Sequence, residues 1–146
     1  NNKLDMITSP FMNSVTWLPR LALGIAFFFH GYGKLPAPFM MDEQHRMVTW
    51  FESIFIPMPE FWVNLVILGE MAAGIGIILG GVVGFFAKQL GHLLTRLSGL
   101  LVVIIMICAL YIAHADWFTS LSTKFVTSEQ MFLLVLGLFF AIRGNK

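Results

Sequence analysis

Glu70 and His30 are the residues of this chain best suited to hold or move a proton, because both are titratable and both fall within long apolar runs. An unpaired carboxylate near the middle of a lipid-embedded helix costs about 2.5–3.5 kcal/mol even on lenient insertion scales. Glu70 therefore calls for a partner, a proton, or both. At 100° per residue, Gly74, Ile77, Gly81 and Gly84 share its stripe, while Ala72, Gly76, Gly80 and Gly84 repeat the small-xxx-small spacing of close helix crossings. Two roles stay open at this point: a carboxyl that cements helix packing, or one that serves a ligand or proton site.

Further polar residues gather on the first apolar run. Arg20, Gly24, Phe27, Gly31 and Lys34 share one helical face, with His30 on its flank, so that side is expected to face inward. A Glu70–His30 relay would suit proton-coupled chemistry. Arg20 and Lys34 lie close enough to opposite ends to snorkel, and Arg96 is placed to fix a helix end through carbonyls or lipid phosphates. His114 closes the third run on the same side as His30, an arrangement that brings paired haem ligation to mind. Haem is the weaker expectation, since no Cys-x-x-Cys-His motif is present and both ligands would need matching depth. His45 and His92 fall in links and read as solvated, and the four histidines lack metal-ligand spacing, so no metal is expected. No phosphate-binding glycine loop, dinucleotide fingerprint or nucleophile elbow occurs. Redox chemistry would then need a lipid-soluble carrier such as a quinone, or a partner subunit.

The elements that must position these groups follow from composition. Of 146 residues, 58% are hydrophobic and 12% charged, and the net charge is +1. A soluble core this small could not hide so much apolar surface, and no basic patch suggests nucleic acid as a partner. Four stretches approach the ~20 apolar residues that a ~30 Å hydrocarbon core demands: Trp17–Gly33, Phe61–Phe86, Leu93–His114 and, least apolar, Thr127–Arg143. The predicted fold is all-α: a single integral membrane domain, a four-helix bundle in contact with the lipid bilayer. Cys108, inside the third run, reads as a small buried apolar residue. The polar segment Asn1–Ser14 carries no signal-peptide pattern.

Between the first two spans, Pro36 and Pro38 stop one helix and Pro57 and Pro59 delay the next. Met47, Trp50, Phe51, Ile54 and Phe55 recur there at helical spacing, opposite Glu43, Arg46, Glu52 and Ser53. This predicts an outer interfacial amphipathic helix packed on the bundle. A short link at Ala87–His92 makes spans two and three antiparallel, and Ala115–Ser128, with Asp116, Trp117 and Phe118, reads as an outer interfacial loop. With the N-terminus inside, Lys3, Arg20, Lys88, Arg96, Arg143 and Lys146 lie on the inner side against Lys34, Arg46 and Lys124 outside. That asymmetry predicts both termini in the cytoplasm; the expected location is a prokaryotic inner membrane.

Arg20-Leu21-Ala22-Leu23-Gly24 followed by His30-Gly31-Tyr32-Gly33-Lys34-Leu35 resembles the first-helix signature of DoxX-type membrane proteins. Gly69-Glu70 with its glycine-rich helix resembles the second block, and Leu94-Thr95-Arg96-Leu97 leading to His114 the third, over residues 16 to 143 in all. The ending Arg143-Gly144-Asn145-Lys146 departs from the Gly-rich, Ser-Asp-containing tail of many such proteins. The resemblance implies a four-helix membrane protein linked to redox metabolism, in some archaea a small subunit of thiosulfate:quinone oxidoreductase. It also implies that Arg20, His30, Lys34, Glu70, Arg96 and His114 occupy recurrent polar positions. The expected function is a redox-associated membrane subunit, with quinone bound between spans one and two beside Glu70 and His30. A redox enzyme partner or a homo-oligomer would accompany it. The competing expectation is a non-enzymatic scaffold or assembly factor.

Overall fold

The computed structural model describes residues 14–115 and 126–145, and among these the chain is all helical, with no strand. Helix α1 is Trp17–Tyr32, α2 Arg46–Ser53, α3 Pro59–Val83, α4 Lys88–Ala113 and α5 Glu129–Arg143, with one 3-10 turn at Pro38–Met40. The expected outer loop at Ala115–Ser128 lies for the most part outside the described residues, as does nearly all of Asn1–Ser14.

Local chemistry sets the helix ends. Pro59 opens α3, where its missing N–H is one the first turn would not use, and Met58 turns into it with a left-handed φ of 54°. Ser128 caps α5 by accepting from the Met131 amide at 3.2 Å. Helix α4 begins at Lys88, five residues before the apolar run at Leu93, so the link from α3 shrinks to residues 84–87. Apolar runs mark the part of a helix that avoids water, and Lys88, Gln89 and His92 extend the same helix with polar side chains.

Helices α3 and α4 are long and apolar enough to cross a membrane, with mean hydropathies of 2.1 and 2.5, yet only 39% of each apolar window is buried. A core helix of a soluble protein would hide most of that surface. Here Leu65, Leu68 and Leu79 of α3 and Leu93, Leu97, Leu100, Ile104 and Ile107 of α4 remain exposed, a face suited to lipid. Cys108 joins that exposed face of α4, which corrects its reading as a buried residue. Helices α1 and α5 have 16 and 15 residues, about 24 and 22 Å, and depend on flanking residues to reach the length of the longer pair.

The four longer helices meet in one core: Leu23 and Phe27 of α1, Ala73 and Ile77 of α3, Val102, Ile105 and Met106 of α4, and Leu133 and Phe140 of α5. Packing runs α1 on α3, α3 on α4 and α4 on α5, while α1 touches α5 only sparsely. Glycine sets the α1–α3 crossing. A methyl group at Gly74 would lie 2.5 Å from the Phe28 nitrogen and one at Gly24 2.9 Å from the Gly74 carbonyl, so the two backbones are in direct contact.

Helix α2 covers the start of α3. Val48 and Phe51 form a second apolar cluster with Ala37, Val63 and Ile67. This agrees with a helix packed on the others but corrects the face expected to do it: Trp50, Ile54 and Phe55 point outward, Phe55 being 92% exposed. The helical period stops at Ser53, and Phe55 takes a left-handed φ of 61° that turns its ring away.

Candidate functional site

The two ends of the helix assembly each carry a polar cluster. At the α2 end, Gly33 closes α1 and the chain tightens, with the Lys34 amide donating to the Gly31 carbonyl at 3.0 Å. A methyl on Gly31 would lie 2.7 Å from the Ile67 carbonyl, so α1 ends in contact with α3 one turn before Glu70. Lys34 therefore turns inward, and its ammonium donates to both carboxylate oxygens of Glu70. The carboxylate side chain is 3% exposed and the ammonium side chain 22%. Glu70 lies about 16 Å along α3 from Pro59. The pair consequently sits well inside the helix rather than at its mouth, beneath the layer made by α2.

His45 fastens that layer. Its Nε2 donates to the Lys34 carbonyl at 2.9 Å, and its Nδ1 accepts from the Met47 amide at 3.1 Å, capping α2. With one nitrogen donating and the other accepting, the ring holds the backbone of the residue that pairs with Glu70. His30, one turn before Lys34, places Nε2 3.0 Å from Glu129 Oε1 and so bridges the sparse α1–α5 seam, with side chains 27% and 63% exposed.

At the other end Arg20 is 3% exposed. Its guanidinium donates to the Ile77 carbonyl, to Thr95 Oγ1 at 3.0 Å and to Asn145 Oδ1 at 2.8 Å, and lies 4.8 Å from the centre of the Phe140 ring. Asn145 adds an Nδ2 bond to the Gly80 carbonyl at 2.7 Å, accepts from Thr95 at 2.6 Å, and donates its amide to His92 Nδ1 at 3.1 Å. Gly144, with φ 63°, makes the sharp reversal after α5 that sends Asn145 back among α1, α3 and α4.

A protein-family model for DoxX matches residues 16–115. The chain belongs to the DoxX family. No curated protein and no solved structure matches the chain. The family match ends at the close of α4, so α5 and Asn145 lie beyond it, and together with the two long apolar helices it points to a membrane protein in contact with the lipid bilayer.

Among the six polar positions of this DoxX chain, the fold joins Lys34 to Glu70 and sets His30 nearby. Arg20 and Arg96 belong to the opposite end, where Arg96 Nε donates to the Ala141 carbonyl at 2.9 Å and ties α4 to α5. His114 caps α4 through its amide, at 3.1 Å from the Leu110 carbonyl. Two expectations need correction. The direct Glu70–His30 contact is replaced by Lys34–Glu70 and His30–Glu129. Neither Arg20 nor Lys34 snorkels, since each turns into the protein. At Gly24 and Gly74 the α1 and α3 backbones touch, which leaves no space at that crossing. No group of three or more metal-ligating side chains comes together among the described residues. His45 and His92, expected to be solvated in links, are corrected as well: His45 is buried between the Lys34 carbonyl and the Met47 amide, and His92 lies within α4 and accepts from the Asn145 amide. Glu129 and Asn145 were not singled out from sequence, and of these four residues only His45, one residue ahead of an amphipathic helix, carries a readable cue.

Proposed function

We propose that this chain is a membrane-embedded, redox-associated subunit, a four-helix bundle with both termini on the cytoplasmic side, that engages a quinone head group at the α1–α5 seam. One observation carries the reading: the His30–Glu129 pair and the buried Lys34–Glu70 pair occur at the same end of α1, with His30 one turn before Lys34. The orientation rests on Lys88, Arg96 and Arg143 gathering with Arg20 at the Asn145 end.

A quinone, when bound, supplies a two-electron, two-proton couple. The chain's own residues divide the remaining work. His30 Nε2 can donate to or accept from a head-group oxygen once Glu129 releases it, and Lys34 can offer an ammonium donor while Glu70 takes or returns a proton. The α1–α5 seam is chosen because α1 packs closely on α3 and only sparsely on α5. Electrons would be exchanged with a redox enzyme partner, since the described residues offer no metal cluster of their own.

Quenching of tryptophan fluorescence by a short-chain ubiquinone tests this. Saturable quenching in the purified protein, weakened in His30→Ala and in Glu70→Gln, supports the site, whereas equal quenching in both variants removes it. The second reading, a scaffold that holds partner proteins or further copies of itself, is favoured by the glycine-tight α1–α3 contact. Recovery of a stoichiometric redox enzyme from mild detergent supports the first reading, and recovery of envelope or secretion proteins alone supports the second.

A further inference from the structure

Arg20 is a buried cation whose hydrogen bonds among the described residues go only to neutral oxygens: a backbone carbonyl, the Thr95 hydroxyl and the Asn145 carboxamide. Buried charges are ordinarily matched by an opposite charge. Arg20 forms no ion pair among the described residues. The Asn145 carboxamide oxygen receives both the guanidinium and the Thr95 hydroxyl, in the position where a carboxylate or phosphate oxygen would bind most strongly.

Directly behind Asn145 lies a cleft of about 540 Å³, lined by Gly84, Lys88, Gln89, His92 and Asn145 itself. Asn145 thus lines that cleft and also bonds Arg20. The cleft brings Lys88 and the His92 ring together at the start of α4, whose Ala87 cap contributes no side-chain acceptor. The first-turn amides there favour negative charge.

From this we infer that the Asn145 end is a binding site for a phosphate group, with Lys88 and His92 receiving it in the cleft and Arg20 and Thr95 as its inner anchor, and that Asn145 occupies the anchor when no anion is bound. The phosphate belongs to an anionic lipid head group or to a soluble phosphate. This site is separate from the Lys34–Glu70 pair and does not depend on the redox reading.

A ligand that must displace a resident group binds more weakly by the fraction of time the site is open. Removing the Asn145 side chain therefore strengthens binding, while Asn145→Asp places a permanent carboxylate on Arg20 and blocks it. The test measures thermal shifts of the full chain with inorganic phosphate in detergent, and in nanodiscs of phosphatidylcholine with and without phosphatidylglycerol. Expected is an affinity gain of roughly tenfold for Asn145→Ala, a loss of at least about tenfold for Asn145→Asp, and weakening by Lys88→Gln. A response to phosphatidylglycerol alone assigns the lipid source, and a response to inorganic phosphate the soluble one. Should Asn145→Ala not fold, wild type against Asn145→Asp decides alone. Equal responses of wild type and Asn145→Asp, or no response to either probe, overturn the inference.

Discussion

The α2 end and the Asn145 end both place a cation inside an apolar assembly, and they neutralise it in opposite ways. Lys34 meets a carboxylate, with His30 and Glu129 close by, so every partner at that end can gain or lose a proton. Arg20 meets a carbonyl, a hydroxyl and a carboxamide, and a guanidinium keeps its charge throughout the accessible pH range. The first arrangement can move charge; the second can only hold it. The proposed proton chemistry accordingly rests on the α2 end and the proposed phosphate site on the Asn145 end.

Removing one partner from each end should sharpen that contrast. Glu70→Ala has the largest expected effect, because it strands the Lys34 ammonium against apolar surroundings; a loss of about 3 kcal/mol is expected in thermal unfolding of the detergent-solubilised protein. A loss below roughly 1 kcal/mol would mean that Lys34 escapes to water when its partner goes, and that the pair is not the buried centre described here. Asn145→Ala comes next. It removes bonds to Arg20, Thr95 and Gly80 but leaves the charge count unchanged, and the expected loss is about 1–2 kcal/mol.

His45→Ala has the smallest effect. Loss of its cap and of its bond to the Lys34 carbonyl should cost about 1 kcal/mol. The loss is expected to be local, read as faster amide exchange over residues 46–53 with little change in the global unfolding temperature. A global shift as large as that of Glu70→Ala would make α2 part of the main core rather than a cover over it.

The four longer helices were legible because continuous apolar runs leave few alternatives, and α1, α3, α4 and α5 fall within a few residues of their expected bounds except at the start of α4. The position of Glu70 was legible for the same reason, since a lone acid in such a run must turn inward. Its partner was not. Extrapolating a straight helix sends Lys34 toward the membrane surface, whereas α1 ends at Tyr32 and the chain bends the lysine back onto α3. Helical spacing placed Met47 and Phe51 against the bundle but also Trp50, Ile54 and Phe55, which are exposed; periodicity cannot foresee that the helix stops at Ser53 and that Phe55 adopts a left-handed conformation. Asn145 was hidden for a different reason: its contacts arise only from tertiary placement, and a Gly-Asn pair after a helix ordinarily reads as a simple terminus.

The most direct test of the account is a double-mutant cycle on Lys34→Met and Glu70→Met, following thermal stability in one detergent. Each single change leaves a buried charge alone, while the double change leaves none, so the double variant is predicted to recover close to wild-type stability with a coupling of roughly 2–3 kcal/mol. Losses that simply add, with the double variant the least stable of the four, would contradict the ion pair on which the proposed site is built.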